Sequence, residues 1–371
     1  MDAGDPFVVA EALRAVLAGT GPAIAPLPTD PAERDRTRAM CAVDQPLEAD
    51  VAVVVATSGS TGHPKGVLLS ATAISTGVEA THRALGGPGA WHLAVPAHYV
   101  AGLMVIARAV VAGTELVPVA GDLDDLRARP GVRNYLSLVP TQLRRAARRP
   151  DLVQRLADFD ALLIGGAACT PEELVWWADH GVRIVTTYGM SETSGGCVYD
   201  GVPLPGVQVD LDAAGRVTIS GDVVFTGYRL RPDLTAEVLR VEDGRRRLLT
   251  RDRAEWVDGR LRILGRIDDV IIRGGINVDL AEVERVAQRV LDDPSVVALG
   301  VPDPEWGTVV ALFAEHLPSL TEVRDALAGD LPRVALPRTI GRGTPPLTSG
   351  GKIDRQDIIR RWADFSGGER P

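Results

Sequence analysis

Long hydrophobic runs are missing from this 371-residue chain. Nowhere do about 18 apolar residues follow one another, so nothing reads as a membrane-spanning helix. The opening stretch MDAGDPFVVAEALRAVLAGT carries acids early and has no basic segment leading into an apolar one. It therefore does not read as a signal peptide, and a soluble protein that stays in the cytoplasm is expected. Cysteine is scarce: Cys41, Cys169 and Cys197 are odd in number, far apart and never paired as CxxC. That pattern argues against a disulfide framework and against a zinc site, leaving reduced structural thiols. Positive charge is also in deficit, with 40 basic against 49 acidic residues and a formal net charge of −9. A general nucleic-acid binder, whose phosphate contacts need clustered cations, is disfavoured. Any anionic ligand must be held by local groups. No internal repeat is present.

What the chain does have is 45% hydrophobic residues and a length that suits one large domain plus a smaller one. VAVVVA at 51–56 is a short β-branched run ending in a Ser/Thr/Gly segment, the pattern of a buried strand entering a loop. YLSLVP (135–140), DALLIGG (160–166) and VRIVTTYG (182–189) repeat it. Between them lie helix-like stretches, TQLRRAARRPDLVQRLADF and TPEELVWWADHG. The second opens with Thr170 as N-cap, then Pro171 and Glu173. Strand and helix alternate, so an α/β sheet is expected. From about 207 to 264 short strands and turn signals, including Asp258-Gly259, predict a smaller β-rich subdomain. After GRIDD at 265–269 a helix, two strands and further helices predict a small α+β domain. The expected division is 1–266 and 267–371.

The segment TSGSTGHPKG at 57–66 follows the first strand directly. Its glycines let backbone amides turn towards an anion, its hydroxyls add donors and Lys65 adds charge, which together suit a phosphate. A Walker A loop needs GxxxxGK(S/T), and here Pro64 stands five positions after Gly59 and Gly66 follows Lys65. The bland alternative is a flexible surface turn.

TSGSTGHPKG resembles the signature of the adenylate-forming enzymes, which include acyl-CoA synthetases, peptide-synthetase adenylation domains and luciferases. Further segments resemble that family's motifs in the family's order: LIGGAA at 163–168, YGMSET at 188–193, TRD at 250–252, GRIDDVIIRGGINV at 265–278 and PLTSGGKIDR at 346–355. Singly each has an ordinary reading, a strand ending in a turn, an exposed ion pair worth little or a solvated loop lysine. Their joint occurrence in one order is what carries the assignment. The resemblance implies a large α/β nucleotide-binding domain followed by a small mobile α+β domain. It also implies ATP and magnesium as cofactors and coenzyme A as co-substrate. Thr57, Ser58, Gly59, Ser60, Thr61, Gly62 and Lys65 would then cradle the phosphates. Gly165, Gly166, Ala167, Tyr188 and Gly189 would line the adenine site, with Asp252 and Arg266 at the ribose. Glu192, with Thr57, would hold the metal, Ser191 replacing the usual threonine. Asp268 would be the hinge and Lys352 the catalytic lysine of adenylate formation.

His98 in PAHYVAG falls where the family carries an aromatic-flanked histidine near the acyl pocket, so the resemblance gives it a substrate-binding and catalytic role. A lone histidine beside a tyrosine is otherwise an ordinary packed residue. Met190 and Ser191 would border the same pocket. RRAARRP at 144–150 would ordinarily be a solvated helix face. Within the resemblance VPTQLRR borders the substrate cleft, so Arg144 or Arg145 would meet a substrate carboxylate. Arg251 in place of the family's usual glycine, SLVPTQL, LIGGAA and a short N-terminal part resemble the compact bacterial 2-succinylbenzoate:CoA ligases. That narrower resemblance implies 2-succinylbenzoate as the acid, with menaquinone biosynthesis as the setting, and it shifts structural burden towards a homodimer interface. The alternatives are a ligase for another aryl or acyl acid, one that delivers its acid to a carrier protein, or a nucleotide-binding module that has lost catalysis.

Overall fold

A computed structural model describes residues 1–57, 65–273, 276–303, 307–348 and 350–366. The chain divides into two compact units. One comprises Met1–Asp210, Thr218–Thr250 and Asp258–Leu261; the other comprises Leu211–Val217, Arg251–Val257 and the chain from Arg262.

In the first unit the run at 51–56 enters a separate sheet, whereas the runs at 135–140, 160–166 and 182–189 become the middle of a seven-stranded one. Its strands lie in the order Leu116–Pro118, Ala90–Leu93, Asn134–Leu138, Ala161–Gly165, Ile184–Met190, Gly195–Tyr199 and Val202–Pro203. The first five run parallel and the last two pair antiparallel. Parallel strands need crossover connections that cover both faces, which is why Asn134–Leu138 is buried at every position. The α/β expectation is met. Thr170 caps the helix Pro171–Asp179 through a capping box with Glu173, as its sequence predicts. TQLRRAARRPDLVQRLADF, read as one helical stretch, is two helices, Pro140–Ala147 and Pro150–Leu156. The proline excludes its predecessor from the helical region, and Arg149 accordingly sits at φ −126°, ψ 98°. A second, three-stranded sheet joins Val53–Thr57 and Lys65–Leu69 as a hairpin and adds the short strand Gly227–Tyr228.

Between residues 208 and 266 a five-stranded sheet runs in the order Gln208–Leu211, Arg216–Ser220, Arg245–Val257, Leu239–Glu242, with Arg260–Arg266 paired to the long strand. The predicted Asp258-Gly259 turn has both residues at positive φ, 49° and 74°, as a tight hairpin of this sequence requires.

The second unit is built on Val297–Asp303, Gly307–Ala314 and Thr339–Arg342, the first pair antiparallel and the second parallel. Alternation puts Ala298, Val310, Leu312 and Ala314 on one face, against Val283, Val286, Ala287, Val323 and Leu327. The other face, with Val297, Leu299, Val301 and Phe313, packs on Ile358. A period of two in the strands and of 3.6 in the helices produces this sandwich. Among the described residues no helix is long and apolar enough to cross a membrane.

Candidate active site

The carboxyl ends of parallel strands are where open α/β sheets collect ligands. Two adjacent parallel strands, Ala161–Gly165 and Ile184–Met190, end at this edge, the second beside the antiparallel Gly195–Tyr199. Gly165, Gly166 and Ala167 leave the end of one strand, and Tyr188, Gly189, Met190 and Ser191 end the next, Gly165 standing opposite Thr187. Two of these glycines are enforced by crowding. A Cβ on Gly189 would come within 2.1 Å of the Gly195 carbonyl oxygen, and one on Gly165 within 2.4 Å of Thr187 Oγ1.

Glu192 follows on a single 3₁₀ turn, Ser191–Thr193. Thr193 Oγ1 stiffens that turn, accepting from the Met190 amide at 2.9 Å and donating to the Gly195 carbonyl at 2.7 Å. The Glu192 carbonyl takes the Phe225 amide at 2.9 Å, and its Oε1 accepts the Tyr228 hydroxyl at 2.7 Å. No cationic side chain pairs with this half-buried carboxylate among the described residues. A carboxylate steadied by one neutral donor and spared a cation fits a divalent metal, whose ligands need charge and fixed orientation.

Lys65 opens the strand Lys65–Leu69, its ammonium 4.0 Å from the centroid of the Tyr228 ring. Thr57 ends the first strand, its hydroxyl 3.4 Å from the Lys65 carbonyl. Ser58, Gly59, Ser60, Thr61 and Gly62 lie outside the described residues. Tyr228 was not among the residues singled out from sequence. FTGYR at 225–229 was the available signal, an aromatic pair around a glycine. A second signal is compositional: lysine occurs only at 65 and 352, every other basic residue being arginine. A compact ammonium and a planar guanidinium are not interchangeable.

His98 lies in the loop after the strand Ala90–Leu93, its ring 4.3 Å from that of Tyr99. Its Nε2 is 3.7 Å from Glu33 Oε1, which also accepts the Tyr99 hydroxyl at 3.0 Å. Burial pulls the imidazole below the ordinary histidine range, and Glu33 opposes this only in part. The two candidate arginines part company. Arg144 makes a two-pronged pair with Glu173, at 2.5 and 3.1 Å, while Glu173 also holds the Thr170 amide. Arg145, one residue on, is exposed.

In the second unit Asp252 is 8% exposed and accepts from Arg266 at 3.4 Å. Arg266 turns its Nε and Nη2 to the two oxygens of Asp268, both at 2.8 Å, and Arg251 stands 3.5 Å from the same carboxylate. Burial pushes Asp268 up, yet Arg266, with Arg251 beside it, outweighs burial and holds it below the usual carboxylate range. Lys352 rides a small hairpin closed by the Leu347–Ile353 bridge and by the Thr348 amide on its own carbonyl at 2.8 Å, and Gly351 turns there at φ 77°. Although the residue is exposed, neighbouring atoms strip water from its ammonium and lower its pKa. All three cysteines are free thiols; burial pushes Cys41 and Cys169 up to about 11 and Cys197 to about 12.

The fold defines an α/β protein whose parallel sheet gathers several of the candidate residues at its carboxyl edge. A family model for AMP-binding enzymes matches residues 10–231, and the chain belongs to that family. It is 38% identical to a Mycobacterium tuberculosis protein described as a probable 2-succinylbenzoate–CoA ligase, over 95% of this chain and 94% of that one. It also resembles o-succinylbenzoate CoA synthetase of Bacillus subtilis, solved in complex with the acyl-adenylate intermediate OSB-AMP. That likeness has a TM-score of 0.72 at 22% identity and covers 95% of this chain and 81% of the other. A variant of Escherichia coli MenE with bound OSB-AMS is similar at a TM-score of 0.69 and 26% identity, over 85% of this chain and 70% of that one.

Proposed function

We propose that this chain is an ATP-dependent 2-succinylbenzoate:CoA ligase serving menaquinone biosynthesis. The observation that carries the reading is the 38% identity, over nearly the whole of both chains, to the relative described as that ligase. In the first half-reaction a carboxylate oxygen of the acid attacks the α-phosphorus of ATP. The bond to the bridging oxygen breaks, and pyrophosphate leaves. In the second the CoA sulfur attacks the acyl carbon of the mixed anhydride, forming a thioester as AMP departs with its oxygen. Phosphoryl chemistry asks the protein mainly for positioning and for cations where charge develops.

In this reading Thr57 and Lys65 meet the phosphates, together with Ser58–Gly62. Glu192, with Thr57, holds magnesium, which when bound supplies neutralisation of phosphate charge. Tyr188 stacks on adenine beside Gly165, Gly166, Ala167 and Gly189, and Asp252 accepts the ribose hydroxyls near Arg266. His98, Met190 and Ser191 border the acid. Because Arg144 is committed to Glu173, Arg145 is the arginine proposed for the second carboxylate. Lys352 neutralises charge during adenylate formation, and Asp268 is the pivot about which 267–371 exchanges the lysine hairpin for the IRGGIN segment, of which Gly274 and Gly275 lie outside the described residues. A cytoplasmic setting accords with three free thiols, and a homodimer is the proposed assembly. The test is a panel of acids assayed for CoA-dependent thioester. 2-Succinylbenzoate should give the highest kcat/KM; a higher value for benzoate or a medium-chain fatty acid would reject the substrate while leaving the ligase chemistry standing.

A further inference from the structure

Two oppositely charged groups that must serve different parts of one ligand face a hazard before the ligand arrives: they can pair with each other. Lys65 and Glu192 are such a couple, and the same side chain touches both. Tyr228 gives its hydroxyl to Glu192 Oε1 at 2.7 Å and its ring face to the Lys65 ammonium, 4.0 Å from the centroid. We propose that Tyr228 is a positioning residue that holds the metal-binding carboxylate and the phosphate-binding ammonium apart and oriented for ATP and its divalent cation. The proposal rests on the reading of Glu192 as the metal ligand.

The surroundings make Tyr228 a rigid spacer. It is 5% exposed and lies on the strand that pairs with Lys65–Leu69, opposite Val67. Its amide donates to Thr235 Oγ1 at 2.9 Å, and its ring packs edge-on against Phe225, 4.9 Å between centroids. On its other side Arg229, itself buried, is clamped by the carbonyls of Cys41, Ala42, Gln45 and Pro46 and by the Glu48 carboxylate at 2.6 Å. Backbone and ring are thus fixed from both directions. The chemistry is also asymmetric in a useful way. A phenol donating to a carboxylate gains electron density, which strengthens the attraction of its ring face for a cation. A neutral donor fixes one carboxylate oxygen without cancelling the charge a metal needs, as outer-shell partners of metal ligands do.

Tyr228→Phe removes one oxygen atom and keeps the ring under Lys65. Its ternary complex with α,β-methylene-ATP should bind Mn²⁺ about tenfold more weakly, read from the spin-resonance signal of free Mn²⁺. Its KM for ATP at saturating Mg²⁺ should change little, and its thermal transition should stay close to the parent's. Tyr228→Leu, which also removes the ring, should in addition raise that KM. Glu192→Gln separates the two layers of the argument. If it loses Mn²⁺ while Tyr228→Phe binds as the parent does, the role of Tyr228 is overturned and Glu192 remains the ligand. If Glu192→Gln itself binds Mn²⁺ normally, the reading of Glu192 falls, and the proposal with it.

Discussion

Arg144 and Arg145 show how much a single helical step decides. The side chains are identical in chemistry and roughly 100° apart around the helix Pro140–Ala147. One is locked to Glu173, the other exposed. Arg145→Ala should therefore raise the KM for the dicarboxylate acid and leave thermal stability nearly unchanged. Arg144→Ala should leave that KM alone and cost roughly 1–2 kcal/mol of stability, because it strands a half-buried Glu173. Steady-state kinetics and thermal unfolding of both variants decide it, and a reversed pattern refutes the assignment. His82 supplies a pH-dependent term. Its Nε2 accepts the Trp91 indole N–H at 3.1 Å, and burial, helped by the Arg108 cation, lowers its pKa to about 4. The folded pKa lies below the unfolded one, so the contribution is complete above the ordinary value of about 6.5 and is lost as pH falls from there towards 4. At about 1.4 kcal/mol per unit the unscreened loss is about 3.4 kcal/mol, and solvent reaching this half-buried ring makes the real one smaller. His82→Gln, which still offers an acceptor, should flatten the decline in denaturant midpoint between pH 7 and 4.5; equal slopes would show that other groups dominate.

At the level of elements, what was legible in the sequence was whatever local chemistry determines. Thr170, Pro171 and Glu173 specify a helix start within four residues, and Asp258-Gly259 specifies a hairpin within two. The alternation of β-branched runs with helical stretches was enough for the parallel sheet. The break at Arg149 was legible too, in Pro150, but helical periodicity on both sides of it masked the signal. What could not be read was contact at long range. Tyr228 lies 36 residues from Glu192 and sits on a strand only two residues long, too short to show any alternation. The reason for Gly189 was equally hidden: the motif shows a glycine, whereas the close passage of Gly195 shows why nothing larger fits.

For the molecule as a whole, the proposed mechanism assigns Lys352 and Asp268 to different halves of one reaction. Lys352→Ala should lose adenylate formation by orders of magnitude, yet still convert supplied acyl-adenylate and CoA to thioester. Asp268→Pro fixes φ near −65° at the proposed pivot and removes the carboxylate clasped by Arg266. It should retain adenylation and lose thioester formation. Rapid-quench measurement of pyrophosphate and thioester separates the two; equal slowing of both halves by Lys352→Ala would defeat the alternating-domain account. The restriction of lysine to positions 65 and 352 carries a practical consequence of its own. On most proteins, acylating reagents and amine-coupled supports spend themselves on dozens of expendable surface lysines. This chain has no expendable ones, so each side-chain amine consumed falls at a position assigned to ATP. Loss of turnover should follow the extent of labelling at these two lysines almost one for one, the Met1 α-amine being counted separately, and nucleotide should shield both.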